Sequence, residues 1–132
     1  MARYAVVLAA GRGERMWPLT STRPKPLLPL PRGTLLSRGL RSLRGLVEGA
    51  VVVTSPSWEG LVRSYLEGGE WGFEVRVAVQ REPLGTADAV WAGVRALPRS
   101  ADELLVVYAD LYYSLDAPSR LVRAGAPSMA VA

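Results

Sequence analysis

Cysteine and histidine are both absent from this sequence, and lysine occurs once, at Lys25. Without cysteine there is no disulfide and no thiolate metal site. Without histidine, zinc sites and imidazole catalysis are excluded as well. Any bound metal must sit on oxygen ligands, chiefly carboxylates, which favours Mg²⁺. Long apolar runs are also missing: none reaches the roughly 18 residues of a membrane span. The segment AVVLAA near the N-terminus is short and runs into Gly11, Arg12 and Gly13, with only Arg3 ahead of it as a positive flank. It reads as a first strand rather than a signal peptide. The expectation is a cytoplasmic protein with no membrane partner.

What is present supports a packed core. The 132 residues fit one domain, spanning 1–132, and the hydrophobic content of 49% against 21% charged residues argues against disorder. Fifteen of the sixteen basic residues are arginine and the formal net charge is +4. That balance permits anionic ligands, although an arginine bias alone would produce it. Against this background Lys25 stands out. Arginine is a planar fork, whereas lysine is a compact point charge able to follow a phosphate through a reaction.

Strand-like and helix-like segments alternate along the chain. Tyr4 to Ala10 is an apolar run ending at glycine, as a buried parallel strand should be. Residues 11 to 33 hold glycines and five of the ten prolines, which predicts a long loop of functional rather than structural purpose. Leu35, Leu36, Leu40, Leu43 and Val47 share a helical face, with Arg38, Arg41 and Arg44 on another, expected to be solvated. Ala50 to Thr54 reads as a second strand. Trp58, Leu61, Val62, Tyr65 and Leu66 mark a second helix, closed by Gly68 and Gly69. Val75, Val77 and Val79 alternate in a third strand. Thr86 is placed to cap a helix through Leu97 whose Ala87, Val90, Val94 and Leu97 share a face. Leu104 to Tyr108 is a fourth strand, Pro118 to Ala124 a short helix, and Met129 to Ala132 the start of a fifth strand. The pattern predicts an α/β fold with a Rossmann-like parallel sheet and helices on both faces. Ligands of such sheets bind at the carboxyl ends of strands. The polar motifs fall there: Gly11 to Arg15, Gln80 to Thr86, and Asp110.

The glycine-rich run is not a dinucleotide fingerprint, because Met16 stands where a third glycine is needed. It is not a Walker loop either, since no Gly-Lys-Ser/Thr follows. Glycines at a strand end do let backbone N–H groups approach phosphate oxygens, and Arg15 could grip a phosphate with two donors. The motifs LAAGRGERMWPLT, then RPKPLLPL, then QREPLGTADAV, then VVYADLYYS together resemble those of the sugar-1-phosphate nucleotidyltransferases, in order and in spacing. The aromatic run after Asp110 is similar to that of the family's archaeal, partly bifunctional branch. The resemblance implies a Mg²⁺-dependent enzyme that joins a nucleoside triphosphate to a sugar 1-phosphate and releases pyrophosphate. It puts Leu8, Ala9, Ala10 and Gly11 near base and ribose, and Gly13 and Arg15 on the triphosphate. Lys25 would meet the α-phosphate, Gln80, Gly85 and Thr86 the base edge, and Asp110 the metal. The attacking phosphate oxygen is already anionic, so such chemistry needs no histidine base.

Plainer roles stand beside these. Asp110 could cap a loop, Gln80 could be a strand-end polar residue, and Arg15 could pair with Glu14. Asp88 is expected only to favour its helix dipole. Trp17, Trp58, Trp71 and Trp91 are expected in core or loop packing rather than in base stacking. Two departures from the family pattern stand out. Ala109 replaces a usual glycine before the metal aspartate, where its methyl group is expected to crowd the nucleotide or shift the aspartate. The chain also ends near the middle of the family's usual catalytic domain. This implies a truncated nucleotidyltransferase domain without most of its sugar pocket, and a homo-oligomer or partner chain covering the edge near Met129 to Ala132. The alternative is a non-catalytic nucleotide-binding or regulatory subunit of a larger enzyme. A nucleic-acid binder is disfavoured because aromatics do not interleave with the arginines.

Overall fold

Six-residue runs rich in valine and leucine form the central strands of the protein. In the computed structural model, which describes residues 2–10 and 24–125, they are β1 (Arg3–Leu8), β4 (Gly49–Thr54), β5 (Glu74–Val79) and β6 (Glu103–Tyr108). All pair in parallel, in the order β5-β4-β1-β6. Branched side chains suit a pleated surface, and β4 is buried along its whole length. Between them lie α1 (Leu35–Ser42), α2 (Glu59–Glu67) and α3 (Thr86–Val94), and α4 (Ala117–Ala124) follows β6. The fifth strand expected at Met129 to Ala132 falls outside the described residues, as does the edge it was expected to expose.

The order of the strands explains the layers. The chain steps outward from β1 to β4 to β5, then returns across the sheet to place β6 on the other side of β1. With crossovers of one hand, that reversal moves the connecting helix to the opposite face. Accordingly Ala5, Val7, Ala50, Val52, Leu105 and Val107 pack beneath Leu36, Leu40, Leu43, Val62 and Leu66 of the α1 and α2 layer, joined by Leu121 and Val122 of α4. Val6, Leu8, Val51 and Val53 point the other way, onto Ala89 and Ala92 of α3. Helix α3 comes very close to the sheet: a methyl group at Gly93 would sit 2.6 Å from Val6 Cγ1 and 3.0 Å from Val53 Cγ2.

Local chemistry sets the helix ends. Thr34 Oγ1 accepts from Ser37 N–H while Ser37 Oγ accepts from Thr34 N–H, so the start of α1 is closed reciprocally. The expected featureless loop to residue 33 is more structured at its described end. A 3₁₀ turn at Lys25–Leu27 leads into a two-residue hairpin, β2 (Pro29–Leu30) with β3 (Gly33–Thr34). Arg41 and, just past α1, Arg44 are exposed as expected, yet they and the half-buried Arg38 also bind backbone. Arg38 donates to Tyr113 O and lies 4.2 Å from the Tyr112 ring centroid; Arg41 donates to Arg32 O and Arg44 to Glu70 O and Trp71 O. Each holds a neighbouring loop by its carbonyl groups, a task suited to a multi-donor fork.

The expected face of α3 is corrected in part: the helix ends at Val94 rather than Leu97, and Val90, Val94 and Leu97 do pack against the core, partly buried. Ala89, Ala92 and Gly93 are buried, with Val90 and Val94 flanking, while Ala87 is exposed. Only small residues allow this close approach. Trp91 on the outer side is 57% exposed, with Arg95 6.0 Å from its ring centroid. It is therefore not a packing tryptophan, unlike Trp58 and Trp71, which pack against the core. Trp17 lies outside the described residues.

Candidate functional site

Strands β5, β1 and β6 end along the same edge of the sheet, and at each the ladder runs one residue further. Ala9 N–H donates to Val53 O (2.8 Å), Gln80 N–H to Thr54 O (2.8 Å) and Ala109 N–H to Leu8 O (2.9 Å). Side chains alternate across a sheet, so Leu8 and Ala10 after β1, and Tyr108 and Asp110 after β6, share the α3 face. With Gln80, Pro83, Gly85, Thr86 and Ala89 they enclose a cleft of about 330 Å³. This lies at the low end of the range for small-molecule sites, roughly 300–1,000 Å³. It opens where the chain reverses across the sheet, the place at which ligands enter such folds. Its floor is apolar, from Leu8, Ala10, Pro83 and Ala89, and among the described residues its polar side chains are Gln80, Thr86, Tyr108 and Asp110.

The same alternation turns Ala9 and Ala109 away from the cleft. Both are 1% exposed and pack with Leu27, Leu36 and Leu105 on the opposite face. The Ala109 methyl group therefore does not crowd the cleft, contrary to expectation. It fills the core beneath, because a position one residue before Asp110 must face the other side.

The segment from Gln80 to α3 is built around Gly85. With φ at 104° Gly85 adopts a conformation that side-chain-bearing residues rarely reach. It occupies the cap position, so Thr86 is the first residue of α3 rather than its cap, and no side chain caps this helix. The Gly85 carbonyl accepts from Ala89 N–H (3.1 Å), the first bond of the helix, and also from Gln80 Nε2 (3.0 Å). Gln80 Nε2 donates a second time, to Asp88 Oδ2 (3.0 Å). Asp88 is thus more than a partner for the helix dipole. Gln80 is only 7% exposed, and these bonds hold its amide at the cleft wall.

The cleft gathers Leu8, Ala10, Gln80, Gly85, Thr86 and Asp110 of the residues singled out in the sequence. Lys25 is half-buried on its 3₁₀ turn against α1 and does not line the cleft; its carbonyl accepts from Leu28 N–H. Gly11, Gly13 and Arg15 lie outside the described residues. Sequence reasoning missed Tyr108, which shares Asp110's face two residues earlier, a relation the period of two already contained. It also missed the Gln80–Asp88 bond, for which a buried amide in need of partners was the available signal. Among the described residues no group of three or more acidic side chains forms a metal cage. Asp110 is, among the described residues, the one carboxylate lining the cleft. A lone carboxylate fits Mg²⁺, which is usually held by one or two carboxylates together with substrate phosphates and water.

A small-molecule site at the switch point of a parallel α/β sheet is the class of protein that these features define. Residues 4–130 match the Nucleotidyl transferase family, and the chain belongs to it. It is 36% identical over 115 residues to N-acetylmuramate alpha-1-phosphate uridylyltransferase of Neisseria meningitidis, covering 85% of this chain and 48% of that protein. It is 31% identical over 113 residues to a bifunctional sugar-1-phosphate nucleotidylyltransferase/acetyltransferase of Sulfurisphaera tokodaii, covering 83% and 25%. A Bacillus anthracis crystal structure assigned to glucose-1-phosphate thymidylyltransferase shares the fold, with a TM-score of 0.79 and 24% identity over 96% of this chain and 52% of that one. The chain thus spans about half the length of its Neisseria relative and a quarter of the bifunctional one. Among the described residues no helix is long and apolar enough to cross a membrane.

Proposed function

We propose that this chain is the nucleotide-binding part of an enzyme that joins a nucleoside triphosphate to a sugar 1-phosphate and releases pyrophosphate. One observation carries the reading. Three separate segments, each at a strand's carboxyl end, bring Leu8, Ala10, Gln80, Gly85, Thr86 and Asp110 to a single cleft. The apolar floor suits a base and ribose. Gln80, Gly85 and Thr86 meet the base edge, with Ala9 and Gly11 near base and ribose. Gly13 and Arg15 hold the triphosphate, and Lys25 the α-phosphate. The uridylyl and thymidylyl transfer carried by the names of relatives supports a uridine or thymidine nucleotide with a sugar 1-phosphate.

The chemistry matches the residues available. A sugar phosphate oxygen attacks the α-phosphorus, a new P–O bond forms, and the bond to the β-phosphate oxygen breaks with pyrophosphate leaving. The nucleophile is already anionic, so the protein's task is alignment and neutralisation of charge. Asp110 would hold Mg²⁺, which when bound neutralises phosphate charge.

Pyrophosphate release from common nucleoside triphosphates across a panel of sugar 1-phosphates tests the reading, with calorimetry of triphosphate binding run beside it, with and without Mg²⁺. Mg²⁺-dependent binding with turnover is the expected result. Binding without turnover on any sugar phosphate favours a non-catalytic nucleotide-binding subunit. No binding of any common triphosphate at millimolar concentration removes both.

A further inference from the structure

Gln80 is a buried amide whose orientation decides what the cleft wall offers. An amide has two N–H donors on one side and an acceptor oxygen on the other. Here the two neighbours of its nitrogen, the Gly85 carbonyl and the Asp88 carboxylate, can only accept. Turning the amide over would set its oxygen against two other oxygens and strand both N–H groups, a costly arrangement for a side chain 7% exposed. Both N–H groups are therefore spent, and Oε1 is the hydrogen-bonding atom that remains. The cleft wall beside Gln80 is completed by Gly85 and Thr86 at the start of α3. The first N–H groups of a helix have no intrahelical acceptor, and no side chain caps this one. An acceptor and backbone donors thus adjoin one another on the same wall.

We infer that Asp88 is a positioning residue that locks Gln80 with Oε1 as the free end, and so selects a base carrying a ring N–H beside a carbonyl. This rests on the nucleotide reading above. Uracil, thymine and guanine present that edge. Cytosine and adenine present a ring-nitrogen acceptor beside an amino group, which meets acceptor with acceptor and donor with donor. A site built to pair with one pattern rejects the reverse because its own polar groups are left unmatched. Asp88 would act without touching the nucleotide. An asparagine in its place keeps size and shape but can offer an amino group to Gln80, which removes one of the two oxygens that oppose a reversed amide and so weakens the lock, the Gly85 carbonyl remaining.

The test is calorimetric binding of UTP, dTTP, GTP, CTP and ATP to the wild-type chain, Asp88→Asn and Asp88→Ala. Thermal unfolding of each variant serves as a check on folding. In the wild type at least one of UTP, dTTP and GTP should bind roughly tenfold or more tighter than both CTP and ATP. Which of the three leads tells whether the pocket takes a pyrimidine or a purine. Asp88→Asn should narrow that ratio several-fold, with CTP or ATP gaining as the favoured nucleotide loses. A merely structural role would weaken all five alike. Wild-type binding that does not separate the two groups, or an Asp88→Asn ratio unchanged from wild type, overturns the inference while leaving the nucleotide site standing. Failure of all five to bind the wild type overturns the nucleotide reading and this inference with it. NMR adds a readout without ligand. The Gln80 side-chain amide protons should be protected from exchange in the wild type and lose protection in Asp88→Asn; equal protection in both would again overturn it.

Discussion

Gly93→Ala offers a test in which helix propensity and packing give opposite answers. Gly93 is inside α3, where alanine is intrinsically favoured over glycine by about 1 kcal/mol. Its position reverses the sign. The new methyl group would sit 2.6 Å from Val6 Cγ1 and 3.0 Å from both Val6 Cγ2 and Val53 Cγ2. Those contacts are too short for carbon, and the neighbours cannot yield. Val6 and Val53 are fully buried, and β-branched side chains are stiff at χ1. Either α3 must lift off the sheet or the valines must leave their rotamers. Overpacking of this kind costs about 1–3 kcal/mol. Set against the propensity gain, a net loss of up to about 2 kcal/mol is expected. For a chain of this size that lowers the melting temperature by about 3–5 °C per kcal/mol. Gly60→Ala is the control. It is also in a helix, α2, but its added methyl group meets nothing within 4 Å, so it should stabilise by a few tenths to about 1 kcal/mol. Urea and thermal unfolding of both variants decide the matter. Because α3 carries Thr86 and Ala89 of the cleft wall, Gly93→Ala should also weaken triphosphate binding, while Gly60→Ala should not. If Gly93→Ala gains stability as Gly60→Ala does, the close approach of α3 to the sheet is wrong.

Lys25→Ala should lower turnover by about a hundredfold, roughly 3 kcal/mol at the transition state, while weakening triphosphate binding far less; Lys25→Arg should not fully restore it, because a wide fork does not fit a point-charge site. Equal activity of Lys25→Ala and wild type would leave Lys25 with no part in the reaction. Asp110→Asn should weaken Mg²⁺-dependent triphosphate binding by about tenfold or more and flatten its dependence on Mg²⁺ in calorimetry, since a neutral amide is a poor ligand for this ion; an unchanged Mg²⁺ dependence would remove Asp110 from the metal site. Tyr113 Oη is buried without a hydrogen-bond partner among the described residues, Ser42 Oγ donating instead to Gly39 O, so Tyr113→Phe should be neutral or stabilise by up to about 1 kcal/mol in urea unfolding. Burial raises the Tyr113 phenol above its usual value, against smaller opposing effects of Ser42 and Arg38. The folded state therefore favours the protonated form, and stability drops as pH rises past the unfolded tyrosine value of about 10. Tyr113→Phe should make that alkaline fall shallower in pH-dependent melting, and an identical fall would show that the phenol does not titrate with unfolding.

The strands and their faces were legible in the sequence because they rest on local chemistry. Valine and leucine runs bounded by glycine and polar residues form buried strands, and a period of two puts Leu8 with Ala10, and Tyr108 with Asp110, on common faces wherever the chain goes. The three polar motifs could be placed at strand ends for the same reason, and their order and spacing were sufficient to suggest the family. Several features could be decided only by the assembled fold. Ala109 was expected to crowd the site; its ladder bond to Leu8 fixes it on the opposite face, in the core. The burial of Ala89, Ala92 and Gly93 rather than the larger residues of α3 depends on how near that helix comes to Val6 and Val53. Trp91 is exposed because its side of α3 turns away from the sheet. The Gln80–Asp88 bond joins the end of a strand to the first turn of a helix across a loop that Gly85 must bend at positive φ. Sequence patterns determine which residues share a face, because that follows from the repeat of a single element. Which faces meet, how closely, and which buried polar groups find one another are properties of two elements at once, and these only the tertiary structure decides.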